Sequence, residues 1–185
     1  MEVKETALKY GKYTCEEVDS WDTDERYELI DGDIYMMAPP RRIHQGISME
    51  LSYQLRNFLK GKPCEVYAAP FAVRLNRDEY TRVEPDIAVI CDKSKLTDEG
   101  CKGAPDLIIE ILSPSSQRHD RIKKYDLYLK TGVREYWIVD PENKIVSVYI
   151  LKNGEYVAKN YSETAVVPIH VLEGCGIDLN DVFSE

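Results

Sequence analysis

Apolar positions along the chain fall into strand-length and helix-length runs. The run Asp106–Leu112 (DLIIEIL) is almost wholly branched or apolar and shows no polar alternation. Gly103 and Pro105 precede it, and Ser113, Pro114, Ser115 and Ser116 follow. That pattern fits a strand covered on both faces. Arg82–Cys91 (RVEPDIAVIC) reads as a second strand, apolar after an acidic start, and Val133–Asp140 (VREYWIVD) as a third, dense in β-formers. Arg26–Met37 is the clearest hairpin, because Asp31-Gly32 is a turn dipeptide between runs rich in Tyr, Ile, Leu and Met. Cys64–Leu75 alternates as one further strand, with Tyr67, Phe71 and Val73 on one side. Ile145–Leu151 and Tyr156–Tyr161 flank Asn153-Gly154 and begin a meander, which the short pieces Val166–Val171 and Gly176–Leu179 extend.

Helical spacing appears in two places. From Ile43 to Leu59, the residues Ile47, Leu51, Leu55, Phe58 and Leu59 share a stripe, and Gly61 and Pro63 stop the helix. Gln117–Thr131 reads as a helix capped by Ser115 or Ser116 and ended by Gly132. A short helix is expected over Cys15–Asp19, and a loop over Asp92–Lys102. Strand 106–112, the helix and strand 133–140 form one βαβ unit, while the earlier strands are joined by turns and can be antiparallel. The expectation is an α/β or α+β mixed sheet flanked by helices, within one domain spanning 1–185.

Composition narrows the partners. The chain has 185 residues, net charge −9 and pI about 5.0. Overall charge therefore does not hold it to nucleic acid, although Arg41-Arg42, Arg118 and Lys123-Lys124 are candidates for a local basic patch. Five scattered cysteines without a CxxC pair indicate neither a disulfide framework nor a zinc site. No signal core and no membrane-length apolar stretch is present, so reduced thiols and a cytoplasmic location are expected.

Candidate chemistry starts at Glu110, a lone carboxylate inside an apolar strand. Such a charge is costly unless it is paired or binds a metal. Asp86 opens the apolar part of the neighbouring run, and Lys124 follows on the next helix, one turn beyond Asp120. If the two strands are neighbours, Asp86 and Glu110 can share a divalent cation, and hard carboxylate oxygens suit magnesium or manganese. Each residue also has a plainer reading. Asp86 could cap a turn, Glu110 could be a structural ion pair with Lys124 or Arg118, and Lys124 could be a solvated lysine. Asp106 reads as a turn residue, Asp120 as support for its helix or for Lys124, and Trp137 as core. His44 reads as a partnered surface histidine. Glu28 reads as exposed, although an acid from an early element could enter the site.

The Pro85-Asp86 pair, then Glu110, then a lysine resembles the restriction-endonuclease-like PD-(D/E)XK superfamily. The string EILSPSS, with Asp120, Lys124, Tyr128 and GVREYWIVDP, resembles more narrowly the Uma endonuclease family. YELIDGDIYMMAPP and His44 match its N-terminal half, and the likeness runs from about residue 13 to 183. The resemblance implies a core of helix, strands, helix and strand, with a metal at the split edge of the sheet. It makes Asp86 and Glu110 the metal ligands and Lys124 the catalytic lysine, with Glu28, His44 and Asp120 in support. One departure stands out: the superfamily lysine lies two residues after the glutamate, where this chain has Leu112. The resemblance therefore implies a lysine that has migrated to the helix, with Lys123 as a neighbouring competitor. The expected activity is magnesium- or manganese-dependent endonucleolytic hydrolysis of DNA by a possible homodimer, away from membranes. The rivals are a binding module without turnover and a phosphodiesterase acting on RNA or nucleotides.

Overall fold

The computed structural model describes residues 12–75, 79–113 and 120–184. The chain begins with α1 (Cys15–Asp19), which is closed by a capping box between Thr14 and Glu17. A hairpin follows, β1 (Tyr27–Ile30) and β2 (Asp33–Met36), in register from Tyr27↔Met36 to Ile30↔Asp33. Next come α2 (Arg42–Leu59), β3 (Glu65–Ala68), β4 (Ala72–Arg74) and β5 (Ile87–Ile90). Two short strands, β6 (Leu96–Thr97) and β7 (Gly100–Lys102), precede β8 (Leu107–Ile111). A π-helical turn, Asp120–Lys124, leads directly into α3 (Tyr125–Thr131). The strands β9 (Glu135–Asp140), β10 (Ile145–Lys152), β11 (Glu155–Ser162), β12 (Val166–Pro168) and β13 (Gly176–Asp178) complete the β structure, and α4 (Leu179–Val182) closes the fold.

Six strands form the central sheet in the order β11-β10-β9-β8-β5-β3. Among the described residues, only β8 and β9 run parallel there, as the predicted βαβ unit requires; the other neighbours are antiparallel. All five residues of β8 are buried, as are all six of β9. Alternation decides which layer each side chain joins. Leu107, Ile109 and Ile111 pack with Ile47, Leu51, Leu55 and Leu59 of α2. Ile108 and Leu112 pack on the other face with Leu127 and Tyr128 of α3. A strand buried on both sides has no solvated face to balance, which explains its lack of polar alternation.

Several boundaries differ from the expectation. Cys64–Leu75 is two strands in different sheets, separated at Pro70, which has no N–H to continue a ladder. In the second run, Arg82 and Val83 bridge to Leu29 and Val73, and the central-sheet strand starts only at Ile87. The predicted loop 92–102 holds a 3-10 turn and the β6–β7 pair, and β7 pairs in parallel with β4. Gly100 permits that contact: its φ is +141°, and a Cβ there would lie 2.1 Å from the Ala72 carbonyl oxygen. The expectation of reduced thiols is corrected at one pair, since Cys64 and Cys91 form a disulfide. The β3–β5 register sets Glu65 against Ile90, so Cys64 and Cys91 face each other as the next pair, which sequence separation conceals.

Candidate active site

Three features of the fold converge on one cleft of about 400 Å³. The β1–β2 hairpin and the start of α2 form one wall, and the diverging ends of β5 and β8 form the other. Glu28, His44, Asp86, Glu110 and Lys124 all line it.

The position of Asp86 follows from strand register. Ile87 pairs with Ile109, so Asp86 and Glu110 stand opposite one another at the next step. The β5–β8 ladder ends there, while β8 continues beside β9 to Ile111. The amide of Ile111 has thus lost its strand partner, and it donates to Asp86 Oδ2 at 2.7 Å. His44 Nε2 reaches the same oxygen at 3.1 Å. His44 is buried, which corrects the expected surface position: α2 begins against the end of the sheet and turns this ring inward. Its Nδ1 has no hydrogen-bond partner among the described residues.

Glu110 is met from the following helix. Lys124 Nζ lies 3.0 Å from Glu110 Oε1, and the Tyr128 hydroxyl donates to the same oxygen at 2.6 Å. Lys124 and Tyr128 are four residues apart, so a helical backbone brings both to one point. Burial is the main cause that pushes the Tyr128 hydroxyl pKa well above its ordinary value, and the charges of Glu110 and Glu28 add to it. Tyr128 therefore remains a proton donor to Glu110 at neutral pH. Lys123 does not compete for the site, because its ammonium lies on the outside against the Tyr35 hydroxyl.

Glu28 corrects the expectation of an exposed acid. Every residue of β1 is buried, and Glu28 Oε1 lies 2.9 Å from Lys124 Nζ and accepts the Glu84 amide at 3.0 Å. The hairpin is covered because Leu29 bridges to Arg82, a long-range pairing that hairpin pattern alone does not reveal. Behind it, Glu84 is held by Arg26 at 2.8 Å and Arg82 at 2.9 Å. The sequence assigns no role to Arg26, Glu84 or Tyr128. The signal for Tyr128 was its spacing from Lys124; Arg26 and Glu84 carried none. Asp106 ties strands together, accepting the Cys91 amide at 2.8 Å and pairing with Arg134 at 3.0 Å. The side chain of Asp120 and the candidates Arg118, Ser115 and Ser116 lie outside the described residues.

Among the described residues, no group of three or more His, Cys, Asp or Glu side chains is gathered as an ion site. The donor set nonetheless fits a hard cation. Asp86 and Glu110 face each other across the strands, and three carboxylates (Glu28, Asp86 and Glu110) share the cleft with one lysine.

Comparison with known proteins adds three findings. A solved structure described as "a putative nuclease belonging to DUF820", from Anabaena variabilis, matches with a TM-score of 0.75 at 23% identity, covering 92% of this chain and 97% of that one. This likeness establishes the mixed-sheet fold. The uncharacterized protein slr1290 of Synechocystis is 30% identical over 157 residues, 82% of each chain. A second Synechocystis protein, sll1609, also uncharacterized, is 27% identical over 119 residues, covering 63% of this chain and 67% of that one. Residues 15–180 match the family model Uma2, described as "Putative restriction endonuclease", and the chain belongs to the Uma2 family.

Proposed function

We propose that this protein is a divalent-metal-dependent endonuclease that hydrolyses phosphodiester bonds of DNA. One observation carries the reading: Lys124 Nζ sits between Glu28 and Glu110, at 2.9 and 3.0 Å, in the cleft that Asp86 enters from the adjacent strand. A helix lysine thus stands beside the glutamate, although residue 112 is leucine.

Asp86 and Glu110 would hold magnesium or manganese, which when bound neutralises phosphate charge and acidifies water. The rest is the work of side chains. The Lys124 amine orients the attacking water and meets the charge that grows on the phosphoryl oxygens. Glu28 keeps that amine over the cleft. Tyr128 fixes the Glu110 carboxylate, and His44 with the Ile111 amide fixes that of Asp86.

A plasmid-nicking assay with magnesium or manganese, comparing wild type with Asp86→Ala and Lys124→Ala, tests the assignment. Activity in wild type alone is expected, and equal activity in all three proteins rejects it. Single-stranded RNA and nucleotide substrates under the same metal separate DNA cleavage from other phosphodiester hydrolysis.

A further inference from the structure

The outer face of α2 contrasts with the rest of this acidic chain. Between residues 41 and 62 lie Arg41, Arg42, Arg56, Lys60 and Lys62, against the single acid Glu50. The side chains of Arg41, Arg42, Arg56 and Lys60 have no hydrogen-bond or ion-pair partner within the described residues. At about 100° per residue, Arg42, Gly46, Met49, Tyr53, Arg56 and Lys60 fall on one stripe about 80° wide. That stripe lies opposite the buried row Ile47, Leu51, Leu55 and Leu59. Met49 and Tyr53 are among the most exposed large hydrophobic side chains, at 74% and 64%.

Gly46 is a second, independent observation. It sits in the helix on this stripe, and a Cβ there would meet nothing within 4 Å. Internal packing therefore does not require glycine, although glycine costs a helix about 0.5–1 kcal/mol relative to alanine. Its absent side chain leaves room for a partner's backbone to approach. The same helix supplies His44, Gln45 and Ser48 to the cleft, so its N-terminal turn, where the stripe begins at Arg42, borders the site.

We propose that the outer face of α2 is the track on which a nucleic-acid duplex lays its phosphate backbone, delivering it to the cleft. This inference rests on the endonuclease reading above. Arg42, Arg56 and Lys60 meet successive phosphates along about 27 Å of helix, Tyr53 packs against sugars, and Gly46 marks the point of closest approach. Unpaired cations on a chain of net charge −9 give a local attraction that the whole molecule lacks. A second copy of the chain fits less well, because two such faces would set arginines against arginines.

The test is fluorescence anisotropy of a labelled duplex across a salt series, in chelator so that nothing turns over. The triple variant Arg42→Ala/Arg56→Ala/Lys60→Ala is expected to bind about tenfold or more weakly, with a salt slope lower by about one unit per cation removed. The control Lys152→Ala/Lys159→Ala, on the far edge of the sheet, should bind as wild type does. Circular dichroism confirms that the exposed substitutions leave the fold intact. Equal affinity and slope for the triple variant and wild type overturn the track and leave the endonuclease reading standing. Failure of wild type to bind any duplex also overturns the track, while the nicking assay with metal decides the endonuclease reading separately. Sedimentation as a dimer that Met49→Asp dissociates assigns the face to a second copy and also overturns the track.

Discussion

Two buried glutamates sit on neighbouring strands of this sheet, and their surroundings differ in kind. Glu110 lies inside β8 and Glu135 begins β9, and both strands are fully buried. Glu110 shares its Oε1 with a lysine and a tyrosine, faces a second strand's aspartate and lines a cleft. Glu135 has no exposed surface, and its oxygens accept the Trp137 indole N–H at 2.7 Å and the Val171 amide at 2.9 Å. Its two strong donors are neutral and do not titrate in any ordinary range. The carboxylate of Glu135 is thus a fastener between the sheet and the segment after β12, whereas that of Glu110 belongs to a charged constellation open to a ligand. Burial of an acid identifies a costly position; the chemistry of its partners separates a fastener from a site.

The largest expected effect separates them at once. Lys124→Ala leaves Glu28 and Glu110 facing each other without the cation between them. Breaking a buried ion pair from one side costs about 3–5 kcal/mol, and loss of the positioned amine should lower nicking by about 10²–10⁴-fold. Chemical denaturation and the nicking assay measure the two losses. A variant that keeps full activity would reduce Glu110 to the same status as Glu135.

Glu135→Gln tests the other side. Both carboxylate oxygens accept from N–H donors, so a carboxamide must turn its own N–H₂ toward one of them. The mismatch is expected to cost about 1–3 kcal/mol, or about 2–4 °C of melting temperature per kcal/mol in a domain of this size. Specific activity of the folded fraction should be unchanged. A fall in specific activity at constant stability would show that β9 serves the site as well as the scaffold.

Tyr128→Phe deletes one donor to Glu110 and keeps the ring, which packs edge-on against Tyr136 with centroids 4.9 Å apart. Loss of a hydrogen bond to a charged group costs about 1.5–3 kcal/mol. A pH signature should accompany it. The ordinary value of the hydroxyl is 10.0, and burial raises it well above that in the folded chain. Above pH 10 the unfolded chain therefore sheds a proton that the native chain keeps. Stability from this group is present below pH 10 and is lost as the pH rises beyond it. Phenylalanine should flatten that part of the decline. Cys101 and Cys175, both pushed up to about 11 by burial, add a decline of the same sign starting at their ordinary 9.0, so the difference between variant and wild type is the quantity to follow.

The two glutamates also show what the sequence makes legible. Glu110 stood out because five branched residues surround it without alternation, and Lys124 was reachable from helical spacing. The βαβ unit and the sheet class follow from the same local periodicities. Glu135 does not stand out in the run Val133–Asp140, because it follows the charged Arg134 near the start of that run; the return of the chain at Val171 supplies its second donor. Glu28 was misjudged for a similar reason, as its burial depends on the Leu29–Arg82 bridge, 53 residues apart in sequence. The Cys64–Cys91 pair and the split of 64–75 between two sheets are likewise long-range outcomes. Local pattern specifies elements, and partners brought from elsewhere in the chain decide which acids are chemically equipped.

The smallest expected effect is the sharpest check on the comparison. His170 Nδ1 lies 3.7 Å from Glu135 Oε1, and the ring is about two-fifths exposed. If Glu135 is held by neutral donors, removing this imidazole should matter little, because a long and solvated pair contributes about 0–1 kcal/mol. His170→Ala is therefore expected to shift the denaturation midpoint only slightly. A loss above about 1 kcal/mol would mean that Glu135 relies on this imidazole as a partner. Both buried glutamates would then be half of an ion pair, and exposure to the cleft, not partner chemistry, would be what distinguishes the site.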